Sequence, residues 1–284
     1  MKQLLQNLVR RSVSNDAVWR VLDSTVLRPP RLFDDERRRV VTERRGENAR
    51  VAQAIELVIP DLVVRHGPFA GMRYPTADSV YSALFPKLLG SYERELAPTV
   101  ERMCANPYAR IVDIGCAEGY YAIGLALRVP TATVYAFDTD PKARALCESM
   151  AALNGVHDRV EVGGLCTPES LSELCTGTRA LVVADCEGFE STLFTPHAVA
   201  ALRSSDVVVE AHDFLDISIS DGLRAAFEAT HDITVVTSTD DLVRARTYRY
   251  PELASFDLAT RRLLVAERRP TIMEWLVMSP RPSA

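Results

Sequence analysis

The stretch Ile111-Val-Asp-Ile-Gly-Cys-Ala-Glu-Gly119 decides how this chain is read. A β-branched run ending in an acid reads as a strand. The two glycines allow a tight turn with close backbone approach, because they carry no side chain. The apolar residues after Gly119 continue as a helix. A strand–turn–helix of this kind aims free helix N–H groups at whatever sits on the turn. It marks a ligand site at the end of a strand.

Strands and helices alternate outward from it. A strand over 109–114 is followed by a helix through Leu127, and a second strand covers 133–137. The next helix is capped by Asp140, has Pro141 at its first position and ends at Asn154-Gly155. A strand at 159–162 precedes a short helix started by Thr167 and Pro168. Strand 180–184 leads to a helix over 189–202, with Pro196 predicted to kink it. The bare Val-Val-Val of strand 206–210 predicts burial on both faces. Ser220 or Asp221 is expected to cap the following helix. Strands at 233–237 and 263–267 complete the set. This is the pattern of an α/β fold: a doubly wound, seven-stranded, mostly parallel Rossmann-like sheet. No clear helix precedes the last strand, so one antiparallel edge strand is expected.

Upstream, residues 1–58 read as helical and charged, 59–77 as short strands or loops turning at Gly67-Pro68 and Gly71, and 78–105 as helical with breaks at Pro86 and Pro98. The expected division is a helical N-terminal extension or lid over 1–77 and a cofactor-binding domain over 78–284. The N-terminal helices are also the expected contact of a homodimer.

The 284 residues are 47% apolar and 25% charged, enough to bury a sizeable core. A net charge of −5 favours neither nucleic acid nor an anionic membrane. A small-molecule substrate is the expected partner. Only Lys2, Lys87 and Lys142 are lysines. The six cysteines form no CxxC pair and read as buried thiols. No stretch reads as a signal peptide or membrane span, so the expected compartment is the cytoplasm.

The turn's spacing is Asp-x-Gly-x-x-x-Gly, with Ala117 between the glycines, and not the Gly-x-Gly-x-x-Gly of a dinucleotide site. Asp113 and Glu118 flank it. Acid repels a pyrophosphate and suits a cofactor with an amino-acid or sulfonium group. Asp138 ends the second strand 19 residues past Gly119 (138 − 119), where a carboxylate can accept both ribose hydroxyls. Leu165 follows the third strand, either facing an adenine ring or lying in the core. Glu93 either reaches the cofactor or is a solvated helix acid.

The segment Asp113-Ile-Gly-Cys-Ala-Glu-Gly119 resembles the first motif of the class I S-adenosylmethionine-dependent methyltransferases. Tyr135-Ala-Phe-Asp-Thr-Asp-Pro141 resembles their second. Asp185-Cys-Glu-Gly-Phe-Glu190 is similar to the Asp-x-Glu-Gly-x-Glu signature of FkbM-type methyltransferases, which mostly methylate hydroxyls of small natural products or sugars. The resemblance spans about residues 85 to 267. It implies S-adenosylmethionine as cofactor. Asp113, Gly115 and Gly119 would hold its methionine end, Asp138 the ribose and Leu165 the adenine, with Cys116, Ala117, Thr139 and Asp185 as further cofactor contacts.

The fourth and fifth strand ends carry Asp185, Glu187 and Glu190, then Glu210, His212 and Asp213. Six ionisable groups at neighbouring strand ends are unusual, because unpaired buried charge is costly. Three readings stay open. His212 is a general base oriented by Asp185 or Asp213. Alternatively Asp185, Glu210 and Asp213 hold a divalent ion such as magnesium. Alternatively the acids cap helices and His212 is structural. The base ranks above the metal, since no compact metal spacing is present. The leading function is a small-molecule O-methyltransferase. N- or C-methylation, a nicotinamide-dependent oxidoreductase and a non-catalytic cofactor-binding module are the alternatives.

Overall fold

The computed structural model describes residues 31–77, 79 and 82–282. The helices expected over residues 1–30 lie outside the described residues. The chain divides into two compact units, 1–57 and 58–284. In the first, α1 (Arg31–Val58) is a 28-residue helix rich in Arg and Glu. Its Arg39 and Glu43 stand one turn apart at 3.5 Å, a small stabilising term on an exposed face.

The larger unit starts at Val58, not at residue 78. Residues 59–77 form a turn closed by a single antiparallel bridge between Val63 and Arg73. The turn is tied into its own unit. Arg65 N–H donates to the Leu88 carbonyl at 2.8 Å. Phe69 lies so close over Gly124 that a Cβ there would come within 2.4 Å of the ring. Two short helices follow, α2 (Leu84–Leu89) and α3 (Ala97–Cys104). Pro86 and Pro98 both sit in first turns, where no intrahelical N–H is lost, so they start helices and do not break them.

The sheet has strands β1 (Arg110–Ile114), β2 (Thr133–Phe137), β3 (Val160–Gly163), β4 (Ala180–Ala184), β5 (Asp206–Ala211), β6 (His231–Thr237) and β7 (Glu274–Pro280). They lie in the order β3-β2-β1-β4-β5-β7-β6. All pairings from β3 to β5 are parallel, and β7 runs antiparallel to both its neighbours. This is a seven-stranded, mostly parallel Rossmann-like α/β sheet. The buried runs of β4 and β5 lie inside it, buried at every position.

The helices between the strands are α4 (Tyr120–Arg128), α5 (Pro141–Leu153), α6 (Pro168–Cys175), α7 (Glu190–Leu193), α8 (Pro196–Ala201) and α9 (Ile219–Phe227). Alternate residues of one strand serve opposite faces. Val182 and Ala184 pack with Leu171, Ala198, Leu223 and Phe227 of α6, α8 and α9. Leu181 and Val183 face Val100, Met103 and Leu125 of α3 and α4. Asp140 caps α5 through the Lys142 N–H, as expected. Among the described residues no helix is long and apolar enough to cross a membrane.

Four expectations are corrected. Residues 263–267 are not a strand: they fall in and just after α11 (Leu258–Val265), which follows α10 (Asp241–Thr247). Asp257 caps α11 by accepting the Thr260 N–H, and a short apolar run cannot itself distinguish helix from strand. The true last strand, β7, carries Trp275 and Met278 into the core. The antiparallel strand is therefore interior, and β6 takes the edge. Pro196 does not kink one helix; it begins α8, with Thr195 capping the Ala198 N–H. Neither Ser220 nor Asp221 caps α9: the helix follows Ser218, and the Ser220 N–H donates to Asp213 Oδ1 at 2.9 Å.

If α8 starts afresh, its cap carries weight that a kinked helix would not need. Thr195→Ala should lower unfolding stability by about 1 kcal/mol in urea titration, and Thr195→Ser should restore most of it.

Candidate functional site

The carboxyl ends of β1, β2, β4 and β5 open onto one cavity of about 660 Å³. This is where a doubly wound sheet binds ligands, at the reversal of strand order between β1 and β4. The turn after β1 forms one wall. Gly115 is in the left-handed region, and a Cβ on it would stand 1.7 Å from the Asp185 carbonyl oxygen. Only glycine allows the β1 turn and the β4 end to touch. Ala117 is also left-handed, with φ of 48°, a conformation costly for a residue with a side chain. Its N–H donates to Asp138 Oδ2 at 2.9 Å, which helps hold it there. Asp138 Oδ1 accepts the Asp140 N–H, so the second strand end supports the first.

Asp113, Gly115, Cys116, Ala117, Asp138, Thr139, Leu165, Asp185, Glu187 and His212 all line this cavity. Leu165 is 56% exposed there, so it is not a core leucine. Gly119 is not among the lining residues. It begins α4, and a Cβ on it would meet Cys147 Sγ at 2.9 Å. Glu93 is not a solvated acid. It is buried, accepts from the Tyr121 hydroxyl and pairs with Arg269 at 2.6 Å.

Asp113 is 3% exposed, and its Oδ2 has no hydrogen-bond partner among the described residues. Burial pushes its pKa up to about 7, with Asp185 and Asp138 adding repulsion. Glu118, by contrast, is paired with Lys87 behind the turn. Lys87, Tyr92, Tyr120, Phe214 and Arg269 also line the cavity and were not singled out from sequence. Lys87 did carry a signal, as a lone lysine inside Leu84-Phe-Pro-Lys-Leu-Leu89.

Arg269 ties the floor together. It pairs with Glu93, Glu210 and Glu267, and stacks over Trp275 with 4.7 Å to the ring centroid. Arg244 meets Glu267 from the other side. The magnesium set of Asp185, Glu210 and Asp213 is therefore not assembled: Glu210 holds Arg269, and Asp213 holds the start of α9.

His212 is buried between three carboxylates. Its Nδ1 meets Glu190 Oε1 at 2.6 Å, and its Nε2 faces Asp185 Oδ1 at 3.3 Å and Glu187 Oε2 at 3.7 Å. Glu190 orients the ring, not Asp213. Burial alone would lower the imidazole pKa; the Asp185 and Glu190 partners outweigh it and push it up to about 10. So placed, the ring's protonated form is favoured by its carboxylate neighbours, and a proton on Nε2 would have to leave before that nitrogen could act as a base or bind a cation. The other histidines lie elsewhere: His66 pairs with Glu252, and His231 is buried against Phe227.

No family model matches the sequence, and no curated protein matches it. Solved structures with a similar chain path include cofactor-bound Rv0187 from MTB, at 15% identity and a TM-score of 0.43 over 92% of this chain and 95% of that one. A precorrin-6y C5,15-methyltransferase from Geobacter metallireducens is 14% identical with a TM-score of 0.43, over 67% and 88% of the two chains. The MccD protein is 10% identical with a TM-score of 0.39, over 67% and 97%. Likenesses this distant carry no functional argument.

Two substitutions test the turn. Gly115→Ala should abolish the thermal shift given by S-adenosylhomocysteine, because the Asp185 carbonyl cannot move away cheaply. Ala117→Gly should keep that shift and raise the melting temperature, relieving about 1 kcal/mol of backbone strain.

Proposed function

We propose that this protein transfers the methyl group of S-adenosylmethionine to a hydroxyl of a small molecule. The observation that carries this reading is Asp113, a buried carboxylate with an unpartnered oxygen at the wall of the cavity. An unpaired buried acid is costly, and a ligand ammonium would satisfy it. S-adenosylmethionine brings an α-ammonium, a ribose and an adenine on one molecule. The chain offers Asp113 for the first, Asp138 for the second and exposed Leu165 for the third. A pyrophosphate would meet Asp113 and Asp138 with like charge, which disfavours a nicotinamide dinucleotide.

Bound there, the cofactor supplies a methyl group on a cationic sulfur. The protein's task is to hold the acceptor oxygen in line with the breaking bond and to exclude water. The oxygen's lone pair forms the new O–CH3 bond, the S–CH3 pair returns to sulfur, and the hydroxyl proton must leave. Asp185, Glu187 and His212 stand at the strand ends beside the turn. Three carboxylates around one imidazole leave this cluster net negative, so it can accept the proton that the hydroxyl loses. The hexapeptide Asp185-Cys-Glu-Gly-Phe-Glu190, with its FkbM-type resemblance, supports a hydroxyl as acceptor.

The pKa of Asp113 sets a pH dependence. Protons compete with the ligand ammonium for the buried carboxylate. The affinity for S-adenosylhomocysteine should be pH-independent above about 7 and fall by about tenfold per unit below it. Calorimetric titration across that range checks this, and Asp113→Asn should weaken binding at high pH and flatten the profile. Tight binding of NAD in place of S-adenosylhomocysteine would reject the cofactor assignment. With methyl-labelled cofactor and a panel of hydroxylated small molecules, label should appear as O–CH3 by NMR. Label on nitrogen or carbon would reject the hydroxyl acceptor.

A further inference from the structure

The carboxylate–imidazole cluster gathers three metal-ligating side chains at one edge of the sheet. β4 and β5 are parallel neighbours, with Ala184 beside Val209. Their ends therefore deliver Asp185 and His212 to the same edge. Glu187, left-handed with φ of 53° and followed by left-handed Gly188, belongs to the turn leaving β4. The donor atoms of Asp185, Glu187 and His212 all lie within 4.8 Å of one another.

Two further observations separate this cluster from a chance group of acids. The first is the imidazole. His212 is 3% exposed, and its inner nitrogen is anchored by Glu190, a fully buried acid. A histidine held at Nδ1 by a carboxylate, with Nε2 turned outward, is the arrangement that prepares a metal ligand. The second is the spacing. Nε2 stands 3.3 Å from Asp185 Oδ1 and 3.7 Å from Glu187 Oε2. Ligand atoms bound at about 2.0–2.2 Å from one cation stand roughly 3.0–3.5 Å apart, so the present separations are close to those around a shared ion.

We propose that Asp185, Glu187 and His212 form a binding site for a first-row divalent transition cation, positioned by Glu190. One imidazole with two carboxylates suits Mn²⁺, Fe²⁺, Co²⁺ or Zn²⁺ better than Mg²⁺ or Ca²⁺, which favour all-oxygen sets. The Glu187 side chain is 75% exposed and that of Asp185 41%, so an ion can enter from the cavity. The neighbouring triad of Glu93, Asp185 and Glu210 is not a competitor, because Arg269 already supplies a cation to Glu93 and Glu210. Three protein ligands leave positions open for water or an acceptor oxygen. The role in catalysis rests on the methyl-transfer reading above: a bound hydroxyl gives its proton to water more readily, with no change of metal oxidation state. Ion binding itself does not depend on that reading.

The test uses the full chain, stripped with EDTA and dialysed. Titration with Mn²⁺, followed by the loss of the free-ion EPR signal, should show one site. Asp185→Asn and Glu187→Gln should each weaken it at least tenfold, and Glu190→Gln by about tenfold through loss of the histidine anchor. Asp213→Asn, which touches only the start of α9, should leave it unchanged. The wild-type protein supplies a measurement free of folding effects: among the five histidines, Mn²⁺ should broaden the His212 ring signals most. No stoichiometric site, or a site indifferent to Asp185 and Glu187, overturns the proposal. A saturable Mn²⁺ site in a protein that does not bind S-adenosylhomocysteine would uphold the metal and reject the methyl-transfer reading.

Discussion

The close approach of the Gly115 turn to the carbonyl of Asp185, which leaves no room for a Cβ, is the constraint on which the site's geometry depends. β1 and β4 are parallel neighbours in register, so their ends arrive at the same height. The missing Cβ lets the two turns touch. Asp113 and the Asp185 cluster thereby share one cavity, with the ammonium-seeking acid on one side and the imidazole on the other. A side chain at residue 115 would separate the two halves.

A second constraint holds the cavity floor. Arg269 lies after α11, Glu93 before α3, and Glu210 at the end of β5, so one guanidinium joins three distant parts of the chain. Removing charges from water is expensive, and such networks often contribute little net stability. Their effect is specificity: a half-formed network leaves buried charge unmatched, so alternative packings are disfavoured. The same network removes Glu93 and Glu210 from the pool of free acids and leaves the chemistry to Asp185, Glu187 and His212.

The parts legible in the sequence are those decided locally. Strands β2 and β4 fall where their apolar runs predict, and Asp140 caps α5 because cap chemistry needs only neighbouring residues. Ten of the cavity-lining positions could be read because strand ends in a doubly wound sheet share one edge. What could not be read depended on distant partners. Glu93 looked solvated because nothing nearby announces Arg269. The last strand was misplaced because Leu263-Leu-Val265 is apolar in helix or strand alike, and Asp257 decides between them. Glu190, which orients His212, lies 22 residues before it, so only the meeting of β4 and β5 ends assigns it that role.

The interior position of β7 has a consequence in time. Among the described residues β6 pairs only with β7, and β5 has β7 as its second neighbour. Between β6 and β7 the chain makes two helices and the Arg269 segment. While a ribosome is still extending the chain through this interval, β6 has no ladder to join and the outer edge of β5 is bare. The parallel half of the sheet can assemble during synthesis, but the floor of the cavity cannot close until β7 slides between two waiting strands. The cofactor turn, made early, must therefore wait for the last-made strand before it faces a finished pocket.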